Sequence, residues 1–216
     1  MGRALLPAHY RLIFAATYVY SPRGRTAASE RSRTLCVRLK SGRTRWLHSY
    51  VARVLEQTSA VPCLQGFFPG EALLIPVPTS GISGNAGRWT ARYLADAMNA
   101  AGLGSGVWSG LRRATAVGKS ATAWMCARTT VSEHFRSFAV DSLGVLPAEI
   151  VLIDDVITKG RTLVAAAMRM QQACPRARIR GFALVRTMGL IADVPSVIDP
   201  CRGAICWNGL DAYRTP

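Results

Sequence analysis

Two adjacent aspartates, Asp154 and Asp155, follow an apolar run at 149–153 and precede a turn at 158–162 that contains threonine, glycine and basic residues. Carboxylates accept hydrogen bonds from hydroxyl groups or hold a divalent cation. A turn that opens a helix offers unpaired N–H groups and a positive dipole, which favour a phosphate. Carboxylates repel a phosphate unless a hydroxylated or cationic group lies between them. A ribose 5-phosphate meets both demands, with its hydroxyls at the acids and its phosphate in the turn.

The turn itself reads Thr158-Lys159-Gly160-Arg161-Thr162. Glycine lets the backbone approach a ligand closely, and both threonine hydroxyls can donate to phosphate oxygens. Two other kinds of site share parts of this pattern. Response-regulator phosphoacceptor sites also end a strand in paired aspartates, and glycine-containing strand-to-helix turns are common in nucleotide-binding folds. Both lack the immediate Thr-x-Gly-x-Thr, so the spacing favours the sugar phosphate.

The run VLIDDVITKGRTL at 151–163 resembles the 5-phosphoribosyl-1-pyrophosphate (PRPP) signature of type I phosphoribosyltransferases. The chain looks most similar to the competence-protein (ComF-like) branch, over roughly residues 70–187. The resemblance implies that Asp154 and Asp155 contact the ribose 2- and 3-hydroxyls and that 158–162 hold the 5-phosphate. Supporting features are IPVP at 75–78, Arg88-Trp89 leading the next helix, Arg113-x-Thr115 with Arg128 farther on, and an early predicted strand that ends in Leu39-Lys40.

The chain also departs from that family. Lys159 and Arg161 stand where relatives often carry threonine and a small residue, so the turn gains positive charge and stronger anion binding or altered ligand choice is expected. The N-terminal zinc-binding cysteine cluster often found in the branch is missing. Thr90-Ala91 replaces the usual Asn-Gln, so the base specificity of a relative does not carry over.

Two further segments acquire roles through the resemblance. The loop Thr79-Ser80-Gly81 would offer backbone donors to pyrophosphate, with Arg88 as a side-chain partner. Residues 112–122 resemble the mobile loop that closes over the reaction centre, where Lys119 or Arg113 would meet the pyrophosphate. A plain connector and a basic surface loop remain the alternatives for these two segments.

The reaction implied by the resemblance displaces pyrophosphate from C1 of the sugar with a nitrogen of an unidentified acceptor. The sugar becomes oxocarbenium-like as charge departs, so cationic stabilisation of the leaving group is needed. Mg²⁺, bound mainly through PRPP rather than by a protein metal site, would supply part of it. The predicted catalytic residues are Asp154, Asp155, Lys119 and Arg113. A regulator that binds PRPP or a nucleotide without turnover is the alternative, motivated by Lys159 and Arg161.

The net charge of +15 is supplied mostly by arginine and is concentrated between Arg23 and Arg45, where Glu30 is the only acidic residue. Such a segment attracts phosphates, so nucleic acid is a candidate partner, in a DNA-uptake or defence system. The alternative is that these arginines only cover a solvent-exposed face and bind no phosphate. A protein partner or a second copy of the chain also remains open.

The predicted fold is α/β, with a mainly parallel sheet flanked by helices as in type I phosphoribosyltransferases. Short apolar runs alternate with helical patterns, giving strands at 72–77, 106–111, 149–154 and 179–185 and helices at 88–101 and 161–173. These lie in a predicted core domain, 61–190. Residues 1–60 are predicted as a hood of two strands (10–20 and 34–40) and a helix (46–57), and 191–216 as irregular cover.

Composition and residue spacing argue against a membrane protein, a secreted protein and a zinc protein. No stretch reaches about 18 consecutive apolar residues, so no membrane span is expected. Residues 11–20 suit a strand better than a signal peptide. The six cysteines and three histidines are scattered without zinc-site spacing, which predicts reduced thiols in a cytoplasmic protein, although Cys201 and Cys206 could pair.

Overall fold

The computed structural model describes residues 5–41, 45–81, 89–117, 129–189 and 191–216. Strands and helices alternate along most of this chain. The strands are β1 Tyr10–Tyr20, β2 Leu73–Pro76, β3 Gly106–Val107, β4 Leu111–Arg113, β5 Phe138–Val140, β6 Glu149–Ile157, β7 Arg178–Thr187, β8 Ile198–Trp207 and β9 Ala212–Thr215. The helices are α1 Ala27–Lys40, α2 Arg45–Ala60, α3 Thr90–Ala100, α4 Val131–Ser137 and α5 Arg161–Ala173.

Seven strands form one sheet in the order β3-β2-β6-β7-β1-β8-β9. The ladders from β3 to β1 are parallel, whereas β8 pairs antiparallel with both β1 and β9. A separate antiparallel pair joins β4 to β5. The prediction of an α/β fold with a mainly parallel sheet flanked by helices is confirmed.

The sheet separates two apolar cores, as expected for buried strands whose successive side chains point to opposite faces. Along β6, Ile150 and Leu152 pack with α4 and α5, whereas Val151 and Ile153 pack with α1, α2 and α3. All four side chains are fully buried. This packing on both faces fixes β6 between the two cores and thereby fixes the position of Asp154 and Asp155 in its second half.

The predicted strand at 34–40 is wrong, because these residues form the second half of α1. Thr26 caps the helix by accepting a hydrogen bond from the Ser29 N–H. The buried face of the helix recurs at three- and four-residue spacing and includes Ser29, Ser32, Leu35, Cys36 and Leu39. Two serines occupy positions where a core helix usually carries apolar residues, and this concealed the helical period.

The prediction of irregular cover at 191–216 is also wrong, since β8 and β9 extend the main sheet. Pro200 made a strand look improbable there. It is tolerated because the β1–β8 register shifts between Ala16 and Tyr18, beside this proline, and β9 pairs only with 204–207. β1, expected in an N-terminal hood, instead lies inside the sheet between β7 and β8.

Among the described residues, no helix has both the length and the apolar character needed to span a membrane. The described cysteines, which include Cys201 and Cys206, are all free thiols. The pairing of these two that the sequence left open is therefore not formed.

Candidate functional site

The carboxyl-terminal half of β6 projects beyond its neighbour β2. Their pairing ends at Pro76 and Ile153, with one further hydrogen bond from the Val77 N–H to the Ile153 carbonyl at 2.8 Å. β7 continues alongside β6 to Ile157. Asp154 and Asp155 therefore lie within the strand rather than after it, where the β2 side has opened. Such an edge, at the carboxyl ends of parallel strands, is where α/β proteins bind ligands.

A cavity of about 470 Å³, here called the central cavity, lies at this edge. Both aspartates and all five residues of the 158–162 turn line it. The structure thus brings together the seven residues of the strand and turn that the sequence singled out. Residues that the sequence did not assign to the site also line it, namely Tyr20, Pro22, Lys40, Val156, Ile157, Leu163 and Thr187.

Asp154 lies in an environment that disfavours its charged form. Burial, and then the negative charge of Asp155, raise the pKa of Asp154 well above its ordinary value. The Asp155 N–H donates to Asp154 Oδ1 at 2.9 Å, and the charge of Arg113 acts in the same stabilising direction, but burial dominates. A sugar hydroxyl or a hydrated cation at this position would relieve the cost.

Gly160 shapes the turn that follows. It has a φ of 84°, in the left-handed region, and lies at the N-cap of α5. Its carbonyl accepts from the Val164 N–H at 2.9 Å, so the N–H groups of the first helical turn before Val164 have no intrahelical partner. The three residues that carry these groups, Arg161, Thr162 and Leu163, line the central cavity, which makes the turn suitable for an anion.

Replacing Gly160 with alanine is expected to destabilise the fold by about 2 kcal/mol, from left-handed strain plus overpacking. An added Cβ would lie 2.8 Å from Cδ1 and Cγ1 of Ile205, a fully buried side chain. Gly66 is the matched control, because its φ is 63° and no heavy atom lies within 4 Å of an added Cβ. Urea denaturation should show a smaller loss for G66A than for G160A. Equal losses would contradict the steric contribution.

The two cations of the turn are not free. Arg161 forms a two-pronged ion pair with Asp211, with Nε–Oδ1 at 2.6 Å and Nη2–Oδ2 at 2.7 Å. Lys159 Nζ also reaches Asp211 Oδ2, at 3.2 Å. The hydrogen bonds from Arg161 lower the pKa of Asp211 to about 2. The expected gain in positive charge is therefore partly cancelled by an aspartate in the β8–β9 turn, 50 residues away in sequence.

His134 connects the 158–162 turn to a buried arginine. The imidazole is almost fully buried, with Nδ1 3.1 Å from Arg113 Nη2 and Nε2 3.3 Å from Thr162 Oγ1. Arginine can only donate, so Nδ1 must be the acceptor and the proton of the neutral ring must lie on Nε2. Nε2 then donates to the Thr162 hydroxyl. That hydroxyl keeps its own proton for an anion in the central cavity.

Arg113 lies in β4 with 2% of its surface exposed, rather than in a loop over the site. Its Nε donates to the Thr79 carbonyl at 3.2 Å, its Nη1 donates to Ser137 Oγ, and its guanidinium carbon lies 3.9 Å from the Phe138 ring centroid. Burial lowers its pKa to about 10, so it stays charged at neutral pH. The prediction that Arg113 reaches a pyrophosphate directly does not fit this burial. It braces the Thr79 loop instead.

A smaller cavity of about 260 Å³, the β2-side cavity, adjoins the aspartates. Of the predicted pyrophosphate loop, Thr79 lines it, whereas Ser80 and Gly81 are not among the lining residues. Trp89, Thr90 and Ala91 also line it, and Trp89 Nε1 donates to the Val77 carbonyl at 2.8 Å. The other predicted residues of this region, Arg88, Lys119 and Arg128, lie outside the described residues.

Lys40 is the main cation that sequence reasoning left out of the site. It ends α1, is exposed, and lines both the central and the β2-side cavities beside the aspartates. In the sequence, Leu39-Lys40 resembles a family feature, but its predicted position is the end of a strand. The helix explains its position, because α1 packs against the sheet and its last turn reaches the aspartate edge.

Within the described residues, no group of three or more histidine, cysteine or acidic side chains could hold a metal ion by itself. A cation at the aspartates would need ligand oxygens and water in addition. A scan against protein-family models and a search of curated proteins both found no match for this chain.

Proposed function

We propose that this protein is a Mg²⁺-dependent phosphoribosyltransferase of the type I fold, ComF-like, which transfers ribose 5-phosphate from PRPP to a nitrogen acceptor and releases pyrophosphate. The observation that carries the proposal is the single cavity lined by Asp154, Asp155 and the whole 158–162 turn. Acids at one end and an amide-lined helix start at the other match a sugar phosphate. An acid pair alone, or a helix start alone, would not select this ligand class.

Each group has a defined task in the proposed reaction. Asp154 and Asp155 hold the 2- and 3-hydroxyls, and the 158–162 turn holds the 5-phosphate. The C1–oxygen bond to pyrophosphate breaks with its electron pair leaving on pyrophosphate, and the acceptor nitrogen forms the new bond to C1. Lys40 lies where the two cavities meet and can stabilise negative charge on the departing group. The Thr79 loop, braced by Arg113, would border the same group.

The donor set of the aspartate edge fits a hard cation. Two carboxylates, one of them with a raised pKa, offer oxygens but too few for an all-protein cage. Asp154 and Asp155 would hold Mg²⁺ together with sugar hydroxyls, pyrophosphate oxygens and water. When bound, the ion would neutralise charge developing on the pyrophosphate.

A regulator that binds PRPP without turnover is the second candidate. The observation in its favour is the engagement of both turn cations by Asp211, which leaves the turn with a net charge of +1 from Lys159, Arg161 and Asp211. A turn with so little excess positive charge would hold the 5-phosphate mainly through backbone N–H groups, so the ligand could bind and leave unchanged, as a regulator requires.

Calorimetric titration with PRPP and Mg²⁺, combined with pyrophosphate release across a panel of bases and amines, separates the two candidates. Binding with release supports the transferase. Binding without release on any acceptor supports the regulator. If PRPP neither binds nor shifts the melting temperature, both proposals are wrong.

Nucleic acid remains a proposed partner for the basic segment between Arg23 and Arg45. α1 leaves Arg31 and Arg38 exposed, seven residues apart and hence on one helix face. Arg33 instead turns inward to the Ser21 and Gly24 carbonyls. If this face binds phosphate backbones, affinity for single-stranded DNA should fall steeply with salt. A flat salt response would exclude that mode of binding.

A further inference from the structure

Three cavities follow one another along the carboxyl edge of the sheet. The β2-side cavity shares Lys40, Asp154 and Asp155 with the central cavity. The central cavity in turn shares Thr158, Lys159 and Thr187 with a third cavity of about 740 Å³, here called the hairpin groove. The hairpin groove is lined otherwise by the end of β7 and by the β8–β9 hairpin, and the proposed reaction leaves it without a ligand.

The hairpin groove adjoins the 158–162 turn and not the aspartates, so it lies on the phosphate side of the central cavity. Its lining includes Thr158 and Lys159 from the turn but neither Asp154 nor Asp155. A ribose held at the aspartates with its phosphate in the turn would therefore direct C1 toward the β2-side cavity. The phosphate oxygens that do not join the ribose would face the hairpin groove, so a substituent on the 5-phosphate has space to continue.

The charge of the turn suits a phosphate that carries such a substituent. Lys159 and Arg161 contribute two positive charges and Asp211 removes one, which leaves +1. A terminal phosphate monoester carries roughly −1.5 to −2 at pH 7, whereas an esterified phosphate carries a single negative charge. This single net positive charge does not require the second charge of a terminal monoester, so an esterified phosphate can occupy the turn as well as the 5-phosphate of PRPP.

The hairpin groove also offers contacts to what would follow that phosphate. Arg214 lines it and donates from Nη2 to the Thr187 carbonyl at 2.7 Å. Within the described residues, Arg214 Nη1 and Thr187 Oγ1 are buried without any hydrogen-bond partner. Buried polar atoms usually have a partner, so these two residues of the groove have unused hydrogen-bonding capacity. Tyr213, with 52% of its surface exposed, also lines the groove. Cation and exposed ring together suit a second phosphate and a nucleobase.

We infer that the central cavity and the hairpin groove together bind a second class of small ligand, a ribose 5-diphosphate esterified to another nucleoside, with the nucleobase of that nucleoside against Tyr213. The inference rests on the proposed function for the placement of the ribose and its first phosphate. It adds a ligand that would compete with PRPP for the 158–162 turn.

ADP-ribose and ribose 5-phosphate form the test pair, because they share the ribose phosphate and differ in the extension. In calorimetric titrations of the full chain, ADP-ribose is expected to bind about tenfold more tightly, as one stacked base contributes. The variant Y213A should lose this preference and keep its affinity for ribose 5-phosphate. Tyr93 on α3, which is 42% exposed and outside all three cavities, is the matched control, and Y93A should behave as the wild type.

The possible failures are distinguishable. Equal affinity for the two ligands, or a preference that survives in Y213A, would overturn the assignment of the hairpin groove while leaving the proposed function intact. Failure of ribose 5-phosphate, PRPP and ADP-ribose alike would overturn the proposed function and the inference with it. A 5′-phosphorylated single-stranded oligonucleotide that binds more tightly than ADP-ribose and loses affinity in Y213A would replace the small ligand with a nucleic-acid end.

Discussion

Replacing Asp154 by asparagine is expected to weaken PRPP binding by about 100-fold and, at the same time, to raise the melting temperature. The carboxylate accepts the hydroxyl hydrogen bonds of the ribose in the proposed complex, and hydrogen bonds to a charged group contribute about 1.5–3 kcal/mol each. In the free protein the same carboxylate destabilises the fold, because burial and the charge of Asp155 disfavour its charged form and raise its pKa. Opposite changes in binding and stability are typical of a ligand-binding group held in a costly environment.

The stabilising half of this prediction has a definite pH dependence. Because the folded-state pKa of Asp154 lies above its unfolded value of 3.8, this group favours folding below that value and loses its contribution as pH rises through the raised pKa. Asparagine removes this loss, so D154N should gain most at neutral and higher pH. A gain of about 1 kcal/mol corresponds to roughly 2–4 °C for a chain of this size.

Thermal denaturation from pH 4 to pH 8 measures the change in stability, and calorimetry with PRPP measures the change in affinity. Asp141 is the matched control, since it is exposed and pairs with Arg112 at the surface, with Arg112 Nε 2.7 Å from Asp141 Oδ1. D141N should leave PRPP affinity unchanged and should not gain stability with rising pH. A D154N variant that binds PRPP as tightly as the wild type would remove Asp154 from the site. One that is less stable at pH 8 would show that its charge is favourable in the free protein.

The part of the site that the sequence predicted well is short and local. The strand, turn and helix at 149–173 depend on an apolar run, a glycine that takes a left-handed φ, and a helical period, all within 25 residues. The range predicted for α5, 161–173, agrees with the structure. The two aspartates and the turn then share a cavity because the chain connects them directly.

The partners of that segment could not be predicted, because they come from distant parts of the chain. Asp211 reaches Arg161 across 50 residues through β8 and β9, which Pro200 and the neighbouring glycines made look irregular. Lys40 reaches the aspartates only because α1 is a helix, and its serine-containing buried face hid that fact. No local pattern encodes such pairings, since sheet order and hairpin register decide them.

The contact of His134 with Thr162 also joins distant parts of the chain, and the burial of His134 predicts a large pH effect on stability. Burial, and then the charge of Arg113, lower the pKa of His134 from 6.5 to about 4, while Arg161 acts in the same direction and Glu133 opposes it. The unfolded chain therefore binds a proton that the folded protein does not. The stability due to the neutral ring is complete above pH 6.5 and is lost as pH falls toward 4. A difference of about 2.5 pKa units corresponds to about 3 kcal/mol.

Comparison of the wild type with H134N by urea denaturation at pH 7, 5.5 and 4.5 isolates this effect. Asparagine can still accept a hydrogen bond from Arg113 but does not titrate, so H134N should be less stable at pH 7 and should lose less stability on acidification. Other acids of the wild type are common to both proteins and cancel in the difference. His48, which is exposed on α2, provides the control, and H48N should retain the wild-type acid sensitivity. Parallel pH profiles for wild type and H134N would mean that folding does not lower the pKa of His134, and the ring would then be protonated below about pH 6.5, where Nδ1 could not accept from Arg113.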